Sequence, residues 1–340
     1  AGRPSQGKIE DVCRTLCEAF ETPFDLKRHR VASGCSIGVT FMEAGDASMT
    51  ELLKRADVAL YEAKEAHGSG FRFFDAALAA DVQARAAIEH DLAKAIASDE
   101  FFLEYQPIVG VESRAVRAFE ALLRWRHPEK GRIMPDVFIP AAERTGLILP
   151  LGNWVVREAC REAASWPAPA GVAINVVGDQ FKDRAFVGYV KQCLMETGLA
   201  PGRLTIEVTE SVFSVDETVI RESLSELRSH GVLVALDDFG IGFSSINNLR
   251  TFPIDQLKID RSFARAMMES KRDADLVDII LKLGRTFQVK TTVEGIESEG
   301  QLDFIRQRGA SEAQGYLISG PVGAPDVMRF LAQTDDRLSA

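Results

Sequence analysis

Hydrophobic and polar positions divide the chain into two zones with different rhythms. In the first 75 residues, IEDVCRTLCEAF carries apolar residues at helical spacing. HRVASGCSIGVTFM alternates like a strand pair. MTELLKRADVALYEAKEAHGSG places Leu52, Leu53, Ala56, Ala59 and Leu60 on one helix face and ends at Gly68, and FRFFD follows as a short strand. Residues 76–98 are alanine-rich, without glycine or proline, and predict a stiff connecting helix. From Glu100 the pattern becomes regular. Apolar runs predict strands near 101–109, 115–124, 171–177, 204–209, 233–238, 256–260, 290–295 and 312–316. Helical periods separate most of them, near 136–145, 150–166, 184–197, 216–230, 272–287 and 298–308, with a last helix near 324–333. Such alternation predicts an (α/β)8 barrel. An open doubly wound sheet would need a glycine-rich phosphate turn after its first strand, and none is present.

Most of these apolar runs end on, or enclose, groups that do not belong in a core. They carry Glu120, Asn175, Glu207, the pair Asp237–Asp238, and Glu294, with Lys258 between the last two. In a barrel these positions converge on the C-terminal rim, where barrel chemistry resides. Carboxylates about 4 Å apart repel by roughly 4 kcal/mol at an effective dielectric near 20. The cluster therefore needs divalent cations or must take up protons. Oxygen ligands with one amide suit Mg²⁺ or Mn²⁺ rather than Zn²⁺. Adjacent Asp237 and Asp238 face opposite sides in a regular strand. To share a site they need a turn, which Gly240 and Gly242 permit.

Composition refines this picture only slightly. The chain has 340 residues, 46% hydrophobic and 26% charged, as in ordinary globular proteins. The net charge of −10 argues against a nucleic-acid polymer as partner. Five scattered cysteines, with Cys13 and Cys17 read as packing residues, fit a reducing cytoplasm. No apolar run spans a membrane. The polar start, AGRPSQGK, is expected to belong to a longer chain, in which a preceding region could tether the protein to a membrane.

The motifs of residues 99–336 resemble the EAL family of bacterial cyclic di-GMP phosphodiesterases. They are YQPIV at 105–109, EALLRW at 120–125, FIPAAERTGLI at 138–148, INVV at 174–177, IEVTES at 206–211, DDFGIGFSS at 237–245, LKIDRSF at 257–263, EGIE at 294–297 and QGYLIS at 314–319. The resemblance implies a modified (β/α)8 barrel whose first strand is antiparallel to the rest. It implies hydrolysis of cyclic di-GMP to linear pGpG by a metal-activated water, with two Mg²⁺ or Mn²⁺ ions and Ca²⁺ as an inhibitor. Glu120, Asn175, Glu207 and Asp237 resemble the first metal's ligands. Asp237 bridges to the second, joined by Asp238, and Glu294 is the next acid of the site. Lys258 resembles the lysine holding the attacking water. Gln106, Leu122, Arg124 and Gln314 resemble substrate contacts, Arg124 gripping a phosphate. Glu210, Ile241 and Glu297 take loop-regulatory positions, and a homodimer through the barrel is expected.

The chain departs from the family at Ile241, where threonine is usual, at Val293 and at Gly320. Altered regulation is expected from Ile241. The alternative is a silent receptor that binds cyclic di-GMP without cutting it. GCSIGVT, LLKRADVALYEAKEAHGSG and FRFFD resemble the C-terminal half of a GGDEF (diguanylate cyclase) domain. Lys64 matches a phosphate contact there, but the GGDEF loop is missing, so no cyclase activity is expected. The expected division is a partial GGDEF-like domain at 1–75, the connecting helix at 76–98 and the EAL domain at 99–336.

Overall fold

The computed structural model describes residues 5–26, 29–42, 48–65, 69–214, 216–240 and 246–338. The chain forms two compact units, Ala1–Asp91 and Leu92–Ala340. The Ile241 position and the neighbouring Gly242 lie outside the described residues, as does Gly68.

In the first unit, helix Gln6–Glu21 buries Cys13 and Cys17, which are packing groups as their spacing predicts. A parallel strand pair, Ser36–Val39 with Gly70–Phe73, is bridged in sequence by helix Met49–Glu65. Gly38 lets that helix approach: a Cβ there would sit 2.1 Å from the Ala56 carbonyl oxygen. The segment HRVASGCSIGVTFM does not pair with itself. His29–Val31 pairs antiparallel with Phe24–Leu26, and Ile37 is matched to Phe71. Alternation identifies strand residues but carries no information about the partner. Helix Ala76–Ala95 follows.

The second unit contains a closed barrel of eight strands. They are β1 (Phe101–Gly110), β2 (Val116–His127), β3 (Gly171–Asn175), β4 (Leu204–Thr209), β5 (Leu233–Phe239), β6 (Gln256–Ile259), β7 (Lys290–Val293) and β8 (Glu312–Gln314). β1 is antiparallel to both neighbours, β2 and β8, whereas β2 through β8 are parallel in succession. The barrel and its reversed first strand match the expectation.

Strand alternation sorts the barrel into two environments. Outward residues such as Phe119, Val172, Ile174, Ile206, Val234, Leu236, Leu257 and Val293 form one hydrophobic cluster with the surrounding helices. Each such buried side chain stabilises the fold by about 1.5–3 kcal/mol. Helix Ile148–Ala164 contributes Val155, Val156, Ala159 and Cys160 to this layer, and helix Lys271–Phe287 contributes Val277, Ile280 and Leu281. Polar residues cap two of the surrounding helices: Ser270 accepts from Asp273 N at the start of Lys271–Phe287, and Ser298 closes a capping box with Gln301 at the start of helix Glu299–Gln307. Residues of the opposite parity face the barrel axis and include most of the polar groups, among them Glu120, Glu207, Asp237, Lys258 and Gln314.

The lower part of that axis is closed by a buried polar trio. Gln256 donates to both Thr292 and Glu312, the latter at 2.7 Å, and Thr292 donates to Glu312 at 3.2 Å. Two residues further along the same strands stand Lys258, Glu294 and Gln314. The polar trio thus sits beneath three of the residues singled out in the sequence. Among the described residues no helix is long and apolar enough to cross a membrane.

Candidate active site

β2 carries Glu120, Leu122 and Arg124 at alternate positions, so one strand presents all three to the same side. β3 ends on Asn175, β4 holds Glu207, and Glu294 directly follows β7. Because β2 through β8 run in the same direction, these side chains gather at one end of the barrel.

Asp237 and Asp238 come together through the backbone itself. Asp238 has φ 53°, a left-handed conformation, and the β5–β6 register shifts between Leu236 and Phe239. This is a bulge within the strand, so the two neighbours no longer alternate. Asp238 N donates to Asp237 Oδ1 at 3.0 Å. The turn expected at Gly240 and Gly242 thus falls at Asp238. Aspartate tolerates this conformation better than most residues. One oxygen each from Asp237, Asp238 and Glu294 lie within 4.8 Å of one another, a grouping able to hold a metal ion.

Lys258 occupies the centre and is fully buried. Its Nζ lies 2.7 Å from Glu207, 2.7 Å from Glu294, 3.2 Å from Asp237 and 3.6 Å from Glu120. Glu207 therefore turns to the lysine, outside the three-carboxylate grouping. Glu120 is held on its other side by amides. Asn175 Nδ2 donates to its Oε1 at 2.8 Å and Gln314 Nε2 to its Oε2 at 2.7 Å. Gln314 also reaches Gln106 at 3.2 Å, and its own Oε1 is buried without a partner among the described residues.

These contacts divide the carboxylates. Burial pushes Glu207 well above the usual carboxylate range, against the pull of Lys258 and reinforced by Glu120 and Asp237. Glu294 is pushed up to about 7, first by burial, against the pull of Lys258 and with Asp237 and Glu120 adding to the rise. Asp238 is raised by burial and by Asp237. Burial opposes ionisation of Glu120 too, but Lys258 and the amides of Gln314 and Asn175 overcome it, and its pKa falls. For Lys258, burial is overcome by the four surrounding acids, so it stays an ammonium.

The donor set fits hard divalent cations. Glu120, Glu207, Asp237, Asp238 and Glu294 face one ammonium, leaving a charge of about −4 when all are ionised, which two divalent ions would neutralise. No histidine or cysteine is among the residues lining the adjoining cavity. That favours Mg²⁺ or Mn²⁺ over Zn²⁺.

The cavity has a volume of about 1160 Å³ and takes in Gln106, Glu120, Leu122, Arg124, Asp238, Glu294, Glu297 and Gln314. It is larger than the ~300–1,000 Å³ typical of small-ligand sites. Asp260, Arg261, Arg265 and Tyr316 also line it, though the sequence did not single them out. Asp260 follows β6 and caps helix Arg261–Ala266 by accepting from Ser262 N at 2.8 Å. LKIDRSF holds the signal for it: an aspartate at a strand end opening a helix. Gly315 brings the end of β8 against the turn after Glu294, since a Cβ there would lie 2.2 Å from the Ile296 carbonyl oxygen. Glu210 opens the 3-10 turn Glu210–Ser214 after β4, with Oε1 buried and unpartnered among the described residues.

Comparison with known proteins converges on the same region. The EAL domain profile matches residues 89–321, and the diguanylate cyclase GGDEF domain profile matches residues 2–69. Uncharacterized protein y4lL of Sinorhizobium fredii is 39% identical over 330 residues, covering 97% of this chain and 40% of the relative. The bifunctional diguanylate cyclase/cyclic di-GMP phosphodiesterase MucR of Pseudomonas aeruginosa is 36% identical over 325 residues, covering 94% of this chain and 47% of MucR. The chain thus spans less than half the length of both relatives. The solved PaMucR phosphodiesterase, in complex with c-di-GMP, superposes with a TM-score of 0.68 at 38% identity, over 71% of this chain and 99% of that one.

Proposed function

This chain belongs to the EAL domain family, and from that premise we propose that it is a metal-dependent phosphodiesterase that hydrolyses cyclic di-GMP to linear pGpG. The observation that carries the reading is Lys258, buried and ringed by Glu120, Glu207, Asp237 and Glu294, two of which, Glu120 and Glu294, line a large cavity.

Glu120, Asn175, Glu207, Asp237, Asp238 and Glu294 would hold two ions, Mg²⁺ or Mn²⁺, with Ca²⁺ inhibiting. When bound, the ions supply Lewis acidity at a phosphate oxygen and lower the pKa of water. Lys258 remains protonated, so it orients a water by donating to its oxygen and does not act as a base. Arg124 grips a non-bridging phosphate oxygen through its guanidinium. Gln314 and Gln106, hydrogen-bonded to each other, fix the wall beside Glu120, and Leu122 gives an apolar surface to the nucleotide. The acid-lined site is otherwise hostile to a phosphodiester anion, so cations must precede productive binding. Glu210, Ile241 and Glu297 would regulate the loop after β5, and a second copy would dock through the barrel. Residues 1–75, 76–98 and 99–336 would serve as GGDEF-derived unit, connecting helix and catalytic domain.

The test is substitution at the two ends of the ligand set. Asp237→Ala and Glu120→Ala are each expected to abolish turnover of cyclic di-GMP while leaving the domain folded. A near wild-type rate in either variant would remove the site assignment.

A further inference from the structure

We propose that Glu104 is a positioning residue that aims Arg124 at the substrate phosphate, an inference that rests on the phosphodiesterase reading above. Glu104 sits on β1, where its backbone is matched to Leu122, two residues before Arg124 on β2. The two side chains are therefore diagonal neighbours across an antiparallel pair. Arg124 Nε donates to Glu104 Oε2 at 2.9 Å, and Nη1 donates to the Leu123 carbonyl at 3.0 Å. Their side chains are only 7% and 14% exposed.

These bonds commit two of the three guanidinium nitrogens to the protein. Among the described residues Nη2 has no partner. A guanidinium is planar and rigid, so fixing Nε and Nη1 also sets the direction of Nη2. Arg124 lines the cavity and Glu104 does not, which places the carboxylate behind the arginine.

Charge supports the same role. Glu104 accepts from a second guanidinium, that of Arg132 on the short strand Gly131–Ile133. Two cations against one carboxylate leave the group net positive, as an anion subsite requires. Without Arg132, the Glu104 charge would cancel that of Arg124 and weaken its hold on phosphate. The sequence signal for Glu104 is its parity: it shares the inward face of β1 with Gln106.

The experiment compares wild type with Glu104→Leu, Glu104→Gln, Arg124→Ala and the Arg124→Ala/Glu104→Leu double variant. It reads KM and kcat for cyclic di-GMP with Mg²⁺ or Mn²⁺, and Kd by calorimetry with Ca²⁺, which is expected to fill the site without supporting turnover. Glu104→Leu is expected to raise KM and Kd about tenfold or more, the scale of a lost charged hydrogen bond. Glu104→Gln keeps an acceptor oxygen and should show a smaller rise. In the Arg124→Ala background, Glu104→Leu should add nothing. Unchanged KM and Kd, or an effect that persists without Arg124, overturns the proposal. Should Glu104→Leu not fold, Glu104→Asp replaces it: a carboxylate one methylene short is expected to raise KM, and no change overturns the role. A wild type that binds cyclic di-GMP without cutting it overturns the phosphodiesterase reading alone, because Kd still reports on Glu104. A wild type that does not bind overturns both.

Discussion

Lys258 Nζ and Glu207 Oε2 lie 2.7 Å apart at a point in the barrel where neither side chain is more than 2% exposed. Removing the ammonium leaves acids with no internal counter-charge. Lys258→Met is therefore expected to destabilise the metal-free domain by about 3–5 kcal/mol at neutral pH, the usual cost of halving a buried pair. Mn²⁺ should recover more stability in the variant than in wild type, since the ion then supplies all the neutralising charge. Thermal unfolding with and without Mn²⁺ checks both points. Equal Mn²⁺ effects in the two proteins would contradict the electrostatic account.

Glu294 gives the site a pH signature. Its carboxyl is raised from an ordinary 4.5 to about 7 in the folded, metal-free chain, chiefly by burial. Between those values the folded state holds a proton that the unfolded state releases. The stability from this group is complete below the lower value and is lost as pH rises through the upper one. A cation needs the ionised form, so metal binding must release this proton. Apparent Mn²⁺ affinity is expected to rise with pH through about 7 and then level off. Calorimetry in buffers of different ionisation enthalpy would count the protons. Proton release that is absent near pH 6.5 would contradict the raised value.

Asp238 combines its proposed ligand role with a backbone role. Asparagine also tolerates the left-handed conformation, so Asp238→Asn should fold as stably as wild type yet bind Mn²⁺ more weakly. Asp238→Val should lose about 1–2 kcal/mol in addition, because a branched side chain resists φ 53°. Denaturant unfolding and a Mn²⁺ titration separate the two effects. Equal stability of the Asn and Val variants would argue against strain at this position.

The Gln256–Thr292–Glu312 trio lies beneath the site and is almost fully buried. Thr292→Val keeps the shape but removes one donor to Glu312 and one acceptor for Gln256. An expected loss of about 1–3 kcal/mol follows from leaving buried partners unsatisfied. Chemical denaturation measures it, and an unchanged midpoint would show that the trio contributes nothing to stability.

The barrel was legible because its outward residues must be apolar. Runs such as VAINVV and LVALDDF register as strands whatever their partners, and family motifs ordered the acids along them. Three features were less accessible. Alternation at HRVASGCSIGVTFM identified strand residues, but the partner of Ile37 is Phe71, which no local pattern reveals. Two adjacent aspartates required a turn, and glycine was the obvious place for one; the backbone turns at Asp238 itself. Glu104 reads as one polar residue in an apolar run until β1 and β2 are paired, when it meets Arg124.

The most direct test is a turnover assay. Purified chain is incubated with cyclic di-GMP and Mg²⁺, then Mn²⁺, and the products are separated by chromatography. The account predicts metal-dependent appearance of linear pGpG, lost when the ions are chelated or replaced by Ca²⁺. Intact cyclic di-GMP in the presence of either ion, with binding confirmed by calorimetry, would contradict it and leave a receptor that captures the dinucleotide without cutting it.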